Sequence, residues 1–244
     1  MERILEWISS ERFGKRHAEL RSKRKQGIGN WLLATTEFAK WKTKDTPVLL
    51  GCGIGLCSLQ AAVVWHGWLT GFLNSRCWQN ISQVITSYCS GPTASAFRLL
   101  TWTSSVVIEH FNELRDLNGF GVGHIYFEYQ EQQQQNRLAV EASLVKQLLS
   151  QIPPAAFPKD IETKYQEKPQ HASADDLTNV LLSIPKRFAH RVLVVCDALD
   201  EMDQHEQRDH LLPLFYRMEN SGIAPSLTTR HRAADVRIQA LHSS

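Results

Sequence analysis

Arg191-Val192-Leu193-Val194-Val195-Cys196-Asp197-Ala198-Leu199-Asp200-Glu201 is the stretch on which the reading of the chain turns. Its apolar run is continuous rather than alternating, the pattern of a strand buried on both faces of a parallel sheet. The run then breaks into three acids within five residues. Downstream, Leu211 to Met218 has helical spacing, and Ser226-Leu227-Thr228-Thr229 reads as a weaker strand leading to Arg230. Upstream, Ser173 to Ile184 predicts a helix with Asp175 and Asp176 in its first turn. Residues 155–172 read as an irregular connection, and Leu138 to Ile152 as a helix stopped by Pro153-Pro154. Earlier still, His124 to Tyr129 predicts a strand, Gly119, Gly121 and Gly123 a loop, and Ser104 to Leu117 an amphipathic helix. Strands alternating with helices predict an α/β fold with right-handed crossovers.

Residues 1–45 predict a helical lead in two pieces. Ile4, Leu5, Trp7 and Ile8 share one face, and Trp31, Leu32, Leu33, Phe38 and Trp41 form the second, with Thr35 or Thr36 as its cap. The basic run from Arg21 to Lys25 reads as a solvated face. A short apolar strand, Thr46 to Leu50, then feeds a turn containing Gly51, Gly53 and Gly55.

Composition bounds the function. With 27 basic and 25 acidic side chains in 244 residues, charge gives no argument for nucleic acid or an anionic membrane. The 43% hydrophobic content excludes a disordered scaffold. Five cysteines without a CxxC pair suggest neither a disulfide framework nor a zinc finger. No secretory signal is evident at Met1, so the expected location is cytoplasmic.

The averages conceal one anomaly. The 63 residues from Thr46 to Ile108 carry two charges, Arg76 and Arg98, against roughly 13 at the chain's own average. They hold four of the five cysteines and four of the seven tryptophans, and no lysine lies between Lys44 and Lys146. Three readings compete. A membrane span over about 48–73 is long enough, but its five glycines, Gln60 and His66 weaken it. An unusual core segment is the second. The third, which the flanking motifs favour, is a non-family insertion over about 56–100, such as translated intron.

In a parallel α/β sheet, ligands sit beyond the carboxyl ends of the strands. A glycine-rich turn after the first strand exposes backbone N–H groups to phosphate. A buried strand ending in acid can hold Mg²⁺, and a neighbouring acid can orient water. Asp197 is therefore the candidate metal ligand, with Asp200 or Glu201 as the water-orienting group. The bland alternative for Asp197 is a helix cap after a core strand.

Taken together, these segments resemble the NACHT-type P-loop NTPase module of fungal STAND signalling proteins, whose N-terminal part is also described as nephrocystin-like. The resemblance lies in Ile4–Trp7 with Phe13, Gly27–Leu33 (GIGNWLL) and Thr46–Ile54. It returns in Ser104–His110 (SSVVIEH), His124–Tyr129 (HIYFEY), Ala142–Leu149 (ASLVKQLL), Val192–Glu201 (VLVVCDALDE) and Thr228–His231 (TTRH). It implies a P-loop NTPase-like parallel sheet with flanking helices over 46–244, binding Mg²⁺ and ATP (or GTP). Arg230 would sense the nucleotide, and exchange would switch self-association. Neither nucleic acid nor membrane is an expected partner.

One departure matters. The family pattern GxxxxGK[ST] needs a lysine for the β/γ-phosphates and a hydroxyl for Mg²⁺. With Gly55 as the last glycine, Leu56 and Cys57 stand at those places; with Gly53 as the first, Ser58, Leu59 and Gln60 close the motif. The helix expected after the turn resumes at Thr101, so residues 56–100 interrupt what would otherwise read glycine-rich loop, lysine, Thr101, helix. The chain as written predicts an impaired nucleotide-binding module, with a catalytically inactive interaction module as the alternative. No repeat period follows Arg230, so the sequence reads as part of a switch, incomplete and without a sensor region.

Overall fold

The computed structural model describes residues 1–9, 14–24, 27, 29–43, 48–52, 62–65, 94–167 and 172–229. Strand β1 is Leu49–Cys52, β2 Ala62–Trp65, β3 Gly121–Tyr126, β4 Val192–Asp197 and β5 Ile223–Thr229. They form one sheet in the order β2-β1-β5-β4-β3. Strands β1, β5, β4 and β3 run parallel, and β2 joins β1 antiparallel at the edge. The expected α/β class holds: a parallel sheet flanked by helices on both faces.

The centre of the sheet follows from β4. All six of its residues are buried, and their side chains alternate between two cores. Val192, Val194 and Cys196 join one cluster, while Leu193 and Val195 join the other. Burying each such chain is worth about 1.5–3 kcal/mol, so β4 can only sit centrally. The first cluster is closed by α1 (Glu2–Ile8), α6 (Arg137–Leu149), α8 (Ala174–Ser183) and α9 (Leu212–Ser221). The second is closed by α3 (Asn30–Leu33), α4 (Thr36–Lys42) and α5 (Ala94–Asn118), with Trp41, Ile108 and Phe111 fully buried. Helix α2 (Gly14–Lys23) adds Leu20 to this face. Arg191 Nη1 donates to the carbonyl of Trp41, tying α4 to the start of β4.

Local signals explain most boundaries. Thr35 Oγ1 accepts from Phe38 N at 3.1 Å, making Thr35 the cap of α4. Asn136 caps α6 through Ala139 N at 3.0 Å, and Ser173 caps α8 through Asp176 N at 3.2 Å. Gly222, at φ 95°, ends α9.

The structure differs from the sequence reading in five places. The lead is four short helices rather than two pieces. The connection 155–172 contains α7 (Lys159–Glu167), held by the buried Ile161. Strand β3 runs over Gly121–Tyr126, so Gly121 and Gly123 lie within it. A Cβ on Gly121 would come within 3.0 Å of Phe188 and Val192, and one on Gly123 within 3.1 Å of Leu144, so packing rather than a turn requires these glycines. Helix α5 starts at Ala94, seven residues before Thr101; Ala94, Ala96, Leu99 and Leu100 are strong helix formers. Finally, the basic run is not simply solvated, because Arg21 and Arg24 reach Glu109 of α5.

The suggested membrane span falls largely outside the described residues, and its described parts, 49–52 and 62–65, are strands. No helix among the described residues is long and apolar enough to cross a membrane. The segment 56–100 also lies mostly outside them; its described parts are β2, which pairs with β1, and the first residues of α5.

Between strand β3 and helix α6 runs a ladder of side-chain amides. Gln151 Oε1 accepts from Val122 N at 2.9 Å, while its Nε2 donates to Val122 O at 2.6 Å. Gln147 treats His124 in the same way, with both contacts at 2.9 Å. Gln135 continues the row, donating to Tyr126 O and accepting from Glu128 N. The step from Gln147, in the last turn of α6, to Gln151, in the turn that follows it, matches the two-residue strand step closely enough for both glutamines to engage.

Candidate functional site

Parallel pairing brings the carboxyl ends of four strands to one edge. The register sets Gly51 beside Thr228 and Tyr126 beside Asp197. Cys196 pairs with Leu227, which carries Asp197 to the level of Thr228. Strand alternation then points Asp197 to the α5 side, with Leu193 and Val195. Tyr126 joins the same cluster.

Asp197 is 2% exposed. Ser104 Oγ of α5 donates to its Oδ1 at 2.7 Å, and Thr228 Oγ1 donates to the same oxygen. Thr228 Oγ1 also accepts from Ala198 N at 2.9 Å, so one hydroxyl fixes both the acid and the next peptide. Asp197 O accepts from Phe127 N at 3.0 Å. Burial pushes the carboxyl of Asp197 above its ordinary range. The hydroxyls of Thr228, Ser104 and Thr101 oppose that shift, and the nearby charge of Asp200 adds to it.

Thr101, Ser104 and Ser105 lie three and four residues apart on one stripe of α5, all buried. Thr101 is 6% exposed. Its Oγ1 is directed at Asp197 and favours the anion as a hydroxyl donor would, but without the hydrogen-bond geometry that Ser104 and Thr228 achieve. An unpartnered buried hydroxyl is costly unless something else meets it.

Beyond Asp197 the chain turns sharply. Ala198 adopts φ 57°, ψ 46°, the single positive φ outside glycine among the described residues. For alanine this left-handed conformation costs about 1–2 kcal/mol. It leads into the 3₁₀ turn Leu199–Glu201, where Asp200 and Glu201 are half-buried. Gln132 Nε2 donates to Glu201 O at 2.6 Å, anchoring the turn.

Of the residues singled out from sequence, Asp197, Thr101 and Asp200 are thus brought together, and Glu201 shares their turn. Gly51 is within β1, on the same row of the sheet. Gly53, Gly55 and Arg230 lie outside the described residues. Sequence reasoning missed Ser104 and gave Thr228 no role of its own. The available signal for Thr228 was a hydroxyl at the carboxyl end of a strand preceding Arg230.

The donor set can be tested against Mg²⁺, which takes oxygen ligands through one or two carboxylates and keeps several waters. Among the described residues no group of three or more His, Cys, Asp or Glu side chains could hold a metal, so a cage made wholly of protein is absent there. A carboxylate with an unpartnered hydroxyl beside it fits an ion completed by phosphate and water.

A second cluster flanks the first. Tyr126 Oη and His17 Nδ1 are 2.9 Å apart, and the His17 and His124 rings are 5.1 Å apart. Burial holds His124 down at about 3 and lowers His17 as well, while it raises Tyr126, so all three are neutral at pH 7.

Comparison with known proteins adds one match. Residues 101–230, just over half of the chain, fit the family model described as nephrocystin 3, N-terminal. The match begins at Thr101, within α5, and spans the rest of that helix with β3, β4 and β5. Neither the curated proteins nor the solved structures compared with the chain gave a match.

Proposed function

Because the chain belongs to the nephrocystin 3 N-terminal family, we propose that it is a nucleotide-binding signalling module of the NACHT type, with Mg²⁺ and ATP (or GTP) as ligands. The observation that carries this reading is the buried Asp197, hydrogen-bonded by Ser104 and Thr228, with the unpartnered Thr101 hydroxyl beside it. A buried acid whose burial disfavours its charge costs stability, and such a cost is typical of a site kept for a cation. Asp197 and Thr101 would hold Mg²⁺. The ion, when bound, offsets phosphate charge. Asp200 or Glu201, on the anchored turn after Ala198, would orient the attacking water. Backbone N–H groups of the turn after Gly51, including Gly53 and Gly55, would face the phosphates, and Arg230 would contact the terminal one.

No lysine stands between Lys44 and Lys146 to serve the β/γ-phosphates. This reading therefore includes weak binding and little or no hydrolysis. The same absence favours a second reading, an interaction module that has kept the fold and lost the ligand. Titration with trinitrophenyl-ATP and Mg²⁺ separates them. The first reading expects saturable, Mg²⁺-dependent fluorescence that Asp197→Ala and Thr101→Val both weaken at least tenfold. Binding unchanged in Asp197→Ala, or absent from the wild type, would refute it.

A further inference from the structure

Ser104 and Ser105 are neighbours on α5 and engage different partners. Ser104 holds Asp197, whereas Ser105 Oγ accepts from Arg24 Nη1 at 3.1 Å. Ser105 also lies against the Tyr126 hydroxyl, and Tyr126 is the cross-strand neighbour of Asp197. Arg24 further pairs with Glu109, one turn along α5. Arg21 Nε lies 2.9 Å from the other Glu109 oxygen, an ion pair without an aligned hydrogen bond. Arg16 Nε meets Glu128 Oε1 at 2.9 Å, and His17 meets Tyr126. Segment 14–24 is thus fastened to both sides of the acid site, through α5 and through the end of β3. The Arg24 and Glu109 side chains are 17% and 21% exposed, so their pair is less screened than an ordinary surface bridge.

We propose that Gly14–Arg24 is a latch that holds the acid site in its self-satisfied form and is released when Mg²⁺–nucleotide binds. The proposal rests on the nucleotide-binding reading above. A cation on Asp197 and Thr101 competes with the Ser104 hydroxyl for the carboxylate. When the ion displaces Ser104 and draws α5 away from the acid, Ser105 moves with the helix, off Tyr126 beside Asp197, and withdraws the acceptor of Arg24. Docking of the latch and binding of ligand therefore oppose each other. By linkage, each weakens the other by the same factor. Couplings of this kind run from about 5-fold to about 150-fold.

The test uses the whole chain, as wild type, Arg24→Ala and Glu109→Gln, with folding checked by circular dichroism. Trinitrophenyl-ATP with Mg²⁺ is expected to bind each variant at least about 5-fold more tightly than wild type. In wild type, Mg²⁺–ATP is expected to speed trypsin cleavage after Arg16, Arg21 and Lys23. Equal affinity in wild type and the folded variants, or protection of 14–24 by Mg²⁺–ATP, overturns the latch and leaves the site reading standing. No binding to any of the three proteins overturns both. If Arg24→Ala does not fold, Glu109→Gln and the wild-type cleavage rates decide alone.

Discussion

Thr228→Val is the substitution that asks most of the site geometry. Valine keeps the shape of threonine and its strand preference, so the change removes one oxygen and little else. That oxygen donates to Asp197 and accepts from the backbone N–H of Ala198, itself buried in a left-handed conformation. Losing a hydrogen bond to a charged group costs about 1.5–3 kcal/mol, and a buried N–H left unsatisfied costs about 1–3 kcal/mol. Because Asp197 keeps Ser104, the lower part of each range applies, giving roughly 2.5–4 kcal/mol. For a chain of this size, each kcal/mol shifts the thermal midpoint by about 2–4 °C. Thr228→Val should therefore melt roughly 5–15 °C below wild type, while Thr228→Ser, which keeps the oxygen, should stay much closer. Urea denaturation followed by tryptophan fluorescence supplies the free energies. A valine variant within 0.5 kcal/mol of wild type, or a serine variant equally destabilised, would refute the bridging role.

Asp197→Asn should stabilise the fold at neutral pH while losing Mg²⁺-dependent nucleotide binding. The folded carboxyl titrates above its ordinary value of 3.8, so its contribution is fully present below that value and is lost as pH rises through the raised one. Urea unfolding should therefore show a gain for the variant at pH 7 and almost none below pH 4. His124 has the opposite sense. Held at about 3 instead of 6.5, it costs stability as pH falls between those values, by at most about 1.4 kcal/mol per unit; a His124→Asn protein should show a flatter acid limb. Gly29→Ala should cost about 2 kcal/mol in the same assay. Its φ of 88° is strained for alanine, and the new Cβ would lie 2.9 Å from Val106 and 3.2 Å from the Thr103 backbone. Replacing Gln147 and Gln151 together by alanine removes the four hydrogen bonds to β3, worth roughly 2–6 kcal/mol. It also bares the β3 edge, so light scattering should report concentration-dependent association.

What could be read from the sequence was what is decided locally. The run Val192–Cys196 has no polar residue to expose, so a central strand was its only home. Asn136, Ser173 and Thr35 cap helices through bonds to residues three positions away, and such signals lie within a few residues of sequence. Gly121 and Gly123 were misread because the reason for them is tertiary: Phe188, Val192 and Leu144 leave no room for a side chain. Helix α7 was missed because Ile161 is its one buried residue, too little to mark a period. The site divides in the same way. Asp197 advertised itself by ending an apolar strand. Its partners Ser104 and Thr228 lie 93 and 31 residues away, and only the sheet order and the approach of α5 bring them to it.

The amide ladder on β3 has a consequence for exchange with solvent deuterium. Along the inner side of that strand, amides are covered by β4 and become accessible only when the sheet itself opens. The amides of Val122 and His124 are covered instead by the side chains of Gln151, just past the end of α6, and Gln147, on α6. Their protection therefore measures how firmly that helix is seated, not how firmly the strands are paired. Two probes one residue apart in alternation along a single strand would thus report two different opening events. Where α6 lifts without the sheet parting, Val122 and His124 exchange together while the amide of Gly123 between them stays protected.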